Sequence, residues 1–183
     1  LRPGKAKPMP GIEDVAVPTE KLPDYVKKLT EIFSEMKIDA SYYGHAGPGL
    51  LHVRPLLDLH TKDGVNKFAT ITNKVMALAK DFSGSIAAEH GLGIERTEYL
   101  EDHIGKNLMA ITKEVKNFFD SKGLMNIGKI IDNKNYLLTS FLRKNLTMPL
   151  TLEFDPMLAF NYKDKSLIGN LEQCNGCGGC IKN

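Results

Sequence analysis

Cysteine is missing from the whole body of this 183-residue chain, and the only three stand within its last ten residues. A disulfide framework is therefore excluded for the folded part, and the terminal three need an explanation of their own. Long apolar runs are missing too. Nothing approaches the roughly 18–20 consecutive apolar residues of a membrane span, and the opening Leu1-Arg2-Pro3-Gly4-Lys5 has no hydrophobic signal core. Excess charge of one sign is absent: 24 Lys and Arg against 22 Asp and Glu leave a formal net charge of +2. That is too little for the field that draws a protein to nucleic acid or anionic lipid. With no internal repeat and no low-complexity tract, solenoids and disordered scaffolds are set aside as well. What remains is a globular, cytoplasmic protein with 42% apolar residues, enough for one ordinary core. The missing initiator Met and the stop inside a cysteine cluster predict a piece of a longer polypeptide.

The chain divides by composition. Residues 1–10 are rich in proline, and the run Arg2 to Gly11 predicts an extended lead-in unable to hold a helix or a ladder. A domain follows over 11–132. Asp14 to Val17 reads as a short strand stopped by Pro18, and Leu22, Tyr25, Val26, Leu29, Ile32, Phe33 and Met36 fall on one helical stripe, with Pro23 suited to the first turn. Ile38 to His45 and Leu50 to Pro55 flank Ala46-Gly47-Pro48-Gly49 as a hairpin. Lys62 to Phe82 is a second periodic helix, and Gly84 to Ala88 a further short strand. The order βαββαβ predicts an α+β, ferredoxin-like fold, an antiparallel sheet with helices on one face. Additional C-terminal helix is expected from Ile104 to Ser121, with Leu108, Ile111, Val115, Phe118 and Phe119 turned inward and Gly123 as its stop. Residues 133–173 read as a linker or partly helical arm, and 174–183 as the start of a separate motif.

Two segments carry chemistry. Gly44-His45 to His52-Val53-Arg54-Pro55 puts an imidazole on either side of a tight turn, so a hairpin brings His45 and His52 together. Glu89, where a predicted strand ends in Glu89-His90-Gly91-Leu92-Gly93, is the candidate third ligand, and a two-His, one-carboxylate set suits zinc, manganese or ferrous iron. His90 points elsewhere than Glu89 and is the candidate general base. Arg54, two residues past His52 on the same strand, offers a planar fork to a substrate carboxylate. These parts suit oxidation of a 2-hydroxyacid. Taken singly, each His is more often a surface or hydrogen-bonded residue than a ligand, and Glu89 and Arg54 also have ordinary surface readings. His60 and His103 have no such context. At the end of the chain, Cys174, Cys177 and Cys180 form the Cys-x2-Cys-x2-Cys front of an iron–sulfur run, whose fourth Cys would fall one residue beyond Asn183. A chance cluster or a zinc knuckle is the alternative.

Together with Tyr99-Leu100 and Asn126-Ile127-Gly128-Lys129, these segments resemble the C-terminal domain of FAD-linked oxidases in the vanillyl-alcohol oxidase superfamily, over roughly residues 10–131. The His-Val-Arg-Pro ending and the cysteine run resemble most the fused FAD and iron–sulfur enzymes of the glycolate oxidase, D-lactate and D-2-hydroxyglutarate dehydrogenase type. The resemblance implies a metal on His45, His52 and Glu89, with His90 as base. It further implies FAD held mainly by a separate N-terminal domain, a 4Fe-4S module downstream, and no competent enzyme in this chain alone. A small 2-hydroxyacid and the two other modules are the implied partners, with self-association open. The family's Gly-Asp-Gly-Asn turn reads Gly47-Pro48-Gly49-Leu50 here, and its Asn-Pro-Gly-Lys reads Asn126-Ile127-Gly128-Lys129, so substrate identity does not carry over closely. Two rivals stay open: a non-catalytic structural or subunit-contact domain, and a metal-independent FAD alcohol oxidase domain.

Overall fold

Period-2 and period-3.6 patterns meet in one small core. The computed structural model describes residues 5–131, 137–140 and 142. Its elements are β1 (Lys7–Pro8), β2 (Val15–Ala16), α1 (Leu22–Glu35), β3 (Ala40–His45), β4 (Leu50–Leu57), α2 (Lys62–Asp81), α3 (Gly93–Ile104) and α4 (Lys106–Phe119). Pro23 sits in the first turn of α1, where its missing N–H costs nothing. Thr61 caps α2, its hydroxyl accepting from the Gly64 N–H at 3.0 Å. The stripe on α1 buries Tyr25, Leu29 and Phe33, and that on α2 buries Phe68, Ile71 and Val75. Val15, Val53 and Leu57 meet them from the sheet. Each such fully buried apolar side chain contributes roughly 1.5–3 kcal/mol.

β4 is the spine of the sheet. Along one edge it pairs antiparallel with β3, from Ala40↔Pro55 to His45↔Leu50. Along the other it takes β2 at Leu51 and Leu50, and β1 at Leu57 and Leu56. Ser85 bridges the far side of β2 through Ala16. The lateral order Ser85, β2, β4, β3 is that of a ferredoxin-like sheet, and the fold is α+β as the element order predicts. Because successive side chains alternate, Val53 and Leu57 face the helices while Tyr43, His45, His52 and Arg54 stand on the opposite face. The hairpin turn is closed by Gly49, whose N–H donates to the Ala46 carbonyl at 3.0 Å and whose carbonyl accepts from the Val17 N–H at 3.0 Å. Gly49 has φ +73° and a Cβ there would lie 1.9 Å from the Val17 oxygen, so only glycine fits.

Four expectations are corrected. The prolines do not keep the lead-in out of the sheet. Lys7–Pro8 forms a short edge strand, with Met9 donating to the Pro55 carbonyl at 2.8 Å, and an edge tolerates a residue without an N–H. Gly84 to Ala88 makes one bridge and no strand. The N–H groups of Ala88, Glu89 and His90 turn instead to the carboxylate of Asp14, at 2.9, 3.0 and 3.0 Å. α3 was not foreseen because its buried residues are Arg96, Thr97 and Leu100, so its inward face has almost no apolar signal. Finally, the apolar stripe of α4 is exposed. Leu108, Ile111 and Val115 are about half exposed, Phe118 is 82% exposed, and Met109 is the buried member of that helix. Periodicity shows that a stripe exists without saying what covers it, and no described element does. Of the 133–173 arm, Leu138 joins the core and donates its N–H to Glu98 at 2.8 Å. Cys174, Cys177 and Cys180 lie outside the described residues.

Two predictions follow from the polar anchors. Asp14 has φ +75°, a conformation Asn also tolerates, so Asp14→Asn removes the charge without adding backbone strain. The variant is expected to lose about 2–3 kcal/mol in denaturant unfolding, with faster amide exchange confined to 88–90. Asp120 ends α4, where the Lys116 ammonium and the N–H groups of Met125 and Leu124 lower its carboxyl from 3.8 to about 2. A lowered native value means its contribution is complete above 3.8 and is lost as pH falls through about 2. Amide protection at Leu124 and Met125 should therefore decline across that acid interval and be flat above it.

Candidate functional site

The exposed face of the sheet and the 88–90 turn meet at one place. Register puts Tyr43 opposite His52 and Ser41 opposite Arg54, and carries His45 to the mouth of the hairpin. The Asp14 carboxylate, with no solvent exposure, gathers the three N–H groups of the turn and so delivers Glu89 and His90 to the same spot. Burial on its own would raise the Asp14 carboxyl, but those N–H groups outweigh it and hold the group below its ordinary value. Asp14 thus stays an anion at the bottom of the site.

Three imidazoles surround one carboxylate oxygen. Glu89 Oε1 lies 3.0 Å from His52 Nε2, 3.5 Å from His90 Nε2 and 3.7 Å from His45 Nε2. The His52 ring is 3% exposed and stacks on His90 with centroids 5.0 Å apart. Tyr43 is 4.9 Å away, and His45 is edge-on at 5.7 Å. His52 Nδ1 is buried and has no hydrogen-bond partner.

The donor set fits a divalent cation. Ligand atoms about 2.0–2.1 Å from a tetrahedral ion stand about 3.3 Å apart, and the two distances from Glu89 to His52 and His45 bracket that value. The group whose ligand atoms all lie within 4.8 Å of one another is Asp14, His52, Glu89 and His90, and His45 is not in it. Asp14 is the poorest ligand of these, because the three backbone N–H groups already occupy its oxygens.

Arg54 is oriented by a residue that sequence reasoning passed over. Its Nε donates to Glu13 Oε2 at 2.5 Å, and its guanidinium lies 5.4 Å from the centre of the Tyr43 ring. The other oxygen of Glu13 is 3.7 Å from His90 Nδ1. Arg96, buried in α3, donates to the Ile86 carbonyl at 2.7 Å and to the Glu13 carbonyl, tying both segments to one side chain. Glu13, Asp14, Tyr43 and Arg96 were all missed as site residues. The adjacent pair of acids ahead of an apolar strand was the available signal for the first two. His60 is paired with Asp58 at 2.7 Å and His103 lies in α3, and neither joins the cluster.

The family model for the C-terminal domain of FAD linked oxidases matches residues 2–130. A D-2-hydroxyglutarate dehydrogenase of Haemophilus influenzae is 32% identical over 181 residues, taking in 97% of this chain and 17% of that protein. A D-lactate dehydrogenase of Anaerostipes hadrus is 34% identical over 118 residues, 64% of this chain and 25% of that protein. The glycolate oxidase subunit GlcD of Bacillus subtilis is 30% identical over 126 residues, 69% of this chain and 27% of that protein. The chain thus spans about a quarter or less of the length of these relatives. With more than half of its residues matched, the chain belongs to the family of FAD linked oxidase C-terminal domains.

Proposed function

We propose that this domain is the substrate side of an FAD-dependent dehydrogenase of 2-hydroxyacids, of the D-2-hydroxyglutarate, D-lactate or glycolate type. The observation that carries the reading is the convergence of three imidazole Nε2 atoms on Glu89 Oε1 within 3.0–3.7 Å, beside an oriented guanidinium. The relatives, a D-2-hydroxyglutarate dehydrogenase, a D-lactate dehydrogenase and a glycolate oxidase subunit, suggest the substrate class.

In this reading His45, His52 and Glu89 hold a divalent metal, zinc, manganese or ferrous iron. Arg54 binds a substrate carboxylate through its Nη edge, since its Nε is committed to Glu13. His90 takes the hydroxyl proton on Nε2. A metal held there would supply polarisation of the substrate oxygen, and FAD would supply the hydride acceptor. The buried His52 forms the inner wall. Cys174, Cys177 and Cys180 are assigned to a 4Fe-4S cluster that takes electrons onward. The Haemophilus alignment takes in 97% of the chain, so the likeness extends well beyond the family match that stops at residue 130. A cytoplasmic location is proposed with it, and no described helix is long and apolar enough to cross a membrane.

The test is elemental analysis of the full-length protein beside its His52→Ala variant, both prepared without chelator, followed by turnover with each of the three acids. Near one divalent ion per chain in the parent, lost in the variant together with at least a hundredfold in kcat/KM, about 2.7 kcal/mol, is the expected result. Equal metal content in both, or undiminished turnover in His52→Ala, would contradict the ligand assignment.

A further inference from the structure

Arg54 is a long, flexible side chain on an outer face, with about two-fifths of its surface exposed, and such a residue ordinarily samples many rotamers. Here it does not hang free. The carboxylate that takes its Nε belongs to Glu13, whose own side chain is 10% exposed. Glu13 is in turn fixed from both sides along the chain. Its carbonyl accepts from the buried Arg96, and the next residue, Asp14, is clamped to the N–H groups of 88–90. The anchor is therefore as rigid as the site itself. A guanidinium has five N–H donors, and using the one on Nε leaves the two-pronged Nη edge, which no acceptor among the described residues engages. The Tyr43 ring supports the guanidinium at 5.4 Å, and the same ring lies 4.9 Å from His52. One carboxylate thus fixes the guanidinium by its Nε and lies within 3.7 Å of His90.

We propose that Glu13 is the positioning residue for Arg54: it aims the free Nη edge at the substrate carboxylate and sets how tightly the acid binds. The inference rests on the reading of Arg54 as the substrate-carboxylate cation. It assigns Glu13 no contact with substrate. The role needs an acceptor at Oε2 more than it needs the negative charge, because Nε–H still donates to an amide oxygen in the same place, by a weaker bond. A counter-ion role would need the charge, and a merely structural role would act whether or not Arg54 is present.

The experiment is steady-state kinetics of the full-length protein on whichever of D-2-hydroxyglutarate, D-lactate and glycolate reduces it. The variants are Glu13→Gln, Glu13→Met, Glu13→Ala and Arg54→Ala, with Glu13→Met also made in the Arg54→Ala background. Glu13→Met fills nearly the same space without an oxygen acceptor, and Glu13→Ala runs in parallel should the thioether disturb folding. Loss of the acceptor is expected to raise KM roughly tenfold with kcat within about threefold, while Glu13→Gln stays within about threefold of the parent. In the Arg54→Ala background, Glu13→Met is expected to add nothing. If Arg54→Ala raises KM but Glu13→Met and Glu13→Ala do not, the inference is wrong and the site reading stands. Glu13→Met effects that persist without Arg54, or a Gln variant as impaired as Met, also overturn it. Unchanged KM in Arg54→Ala would remove the carboxylate role of Arg54 and the inference with it.

Discussion

Everything on the functional face hangs from the carboxylate of Asp14, a charge with no solvent exposure at a residue with φ +75°. A buried anion costs several kcal/mol unless its oxygens are filled, and here three consecutive N–H groups fill them. The same bonds withdraw residues 88–90 from the sheet. A continued ladder beyond Ser85 would have sent alternate side chains to opposite faces, whereas the turn presents Glu89 and His90 on one side with Glu89 Oε1 and His90 Nε2 only 3.5 Å apart. The fold gives up the end of a strand and gains a rigid pedestal for two functional groups.

The charges around that pedestal are nearly matched. Glu13, Asp14 and Glu89 supply three carboxylates, Arg54 and Arg96 two guanidiniums, and the imidazoles of His45, His52 and His90 complete the set. Arg96 is spent inside the molecule, on the carbonyls of Ile86 and Glu13 and on the carboxylate of Glu95, so the outward balance favours a cation at the imidazoles. Arg54 is the cation left facing outward, with its orientation fixed from behind. A cluster of imidazoles and a carboxylate at one end and a guanidinium edge at the other would suit a small acid that carries its reacting oxygen beside its carboxylate.

Much of this was legible in the sequence, and the parts that were not share a cause. The hairpin could be read because Gly47-Pro48-Gly49 is turn chemistry between β-compatible runs, and the approach of His45 and His52 to Glu89 could be read because the hairpin and the glycine-bounded segment localise them. α1 and α2 could be read because their inward faces are apolar. α3 was silent because Arg96 and Thr97 face inward, and a polar interior is recognised only from the carbonyls it satisfies. The Asp14 clamp spans 75 residues to Glu89, beyond any local pattern. For α4 the amphipathic stripe was real but its direction was not, since Met109 faces in while Phe118 faces out.

The central claim is that this face receives a 2-hydroxyacid for oxidation by a flavin. Anaerobic titration of the full-length protein with D-2-hydroxyglutarate, D-lactate and glycolate in turn, followed by flavin absorbance, tests it most directly. Bleaching of the oxidised flavin by at least one of the three, with the matching 2-oxoacid formed in equal amount, is the predicted result. A flavin that all three leave oxidised, in a protein that chemical reductant bleaches normally, would contradict the account.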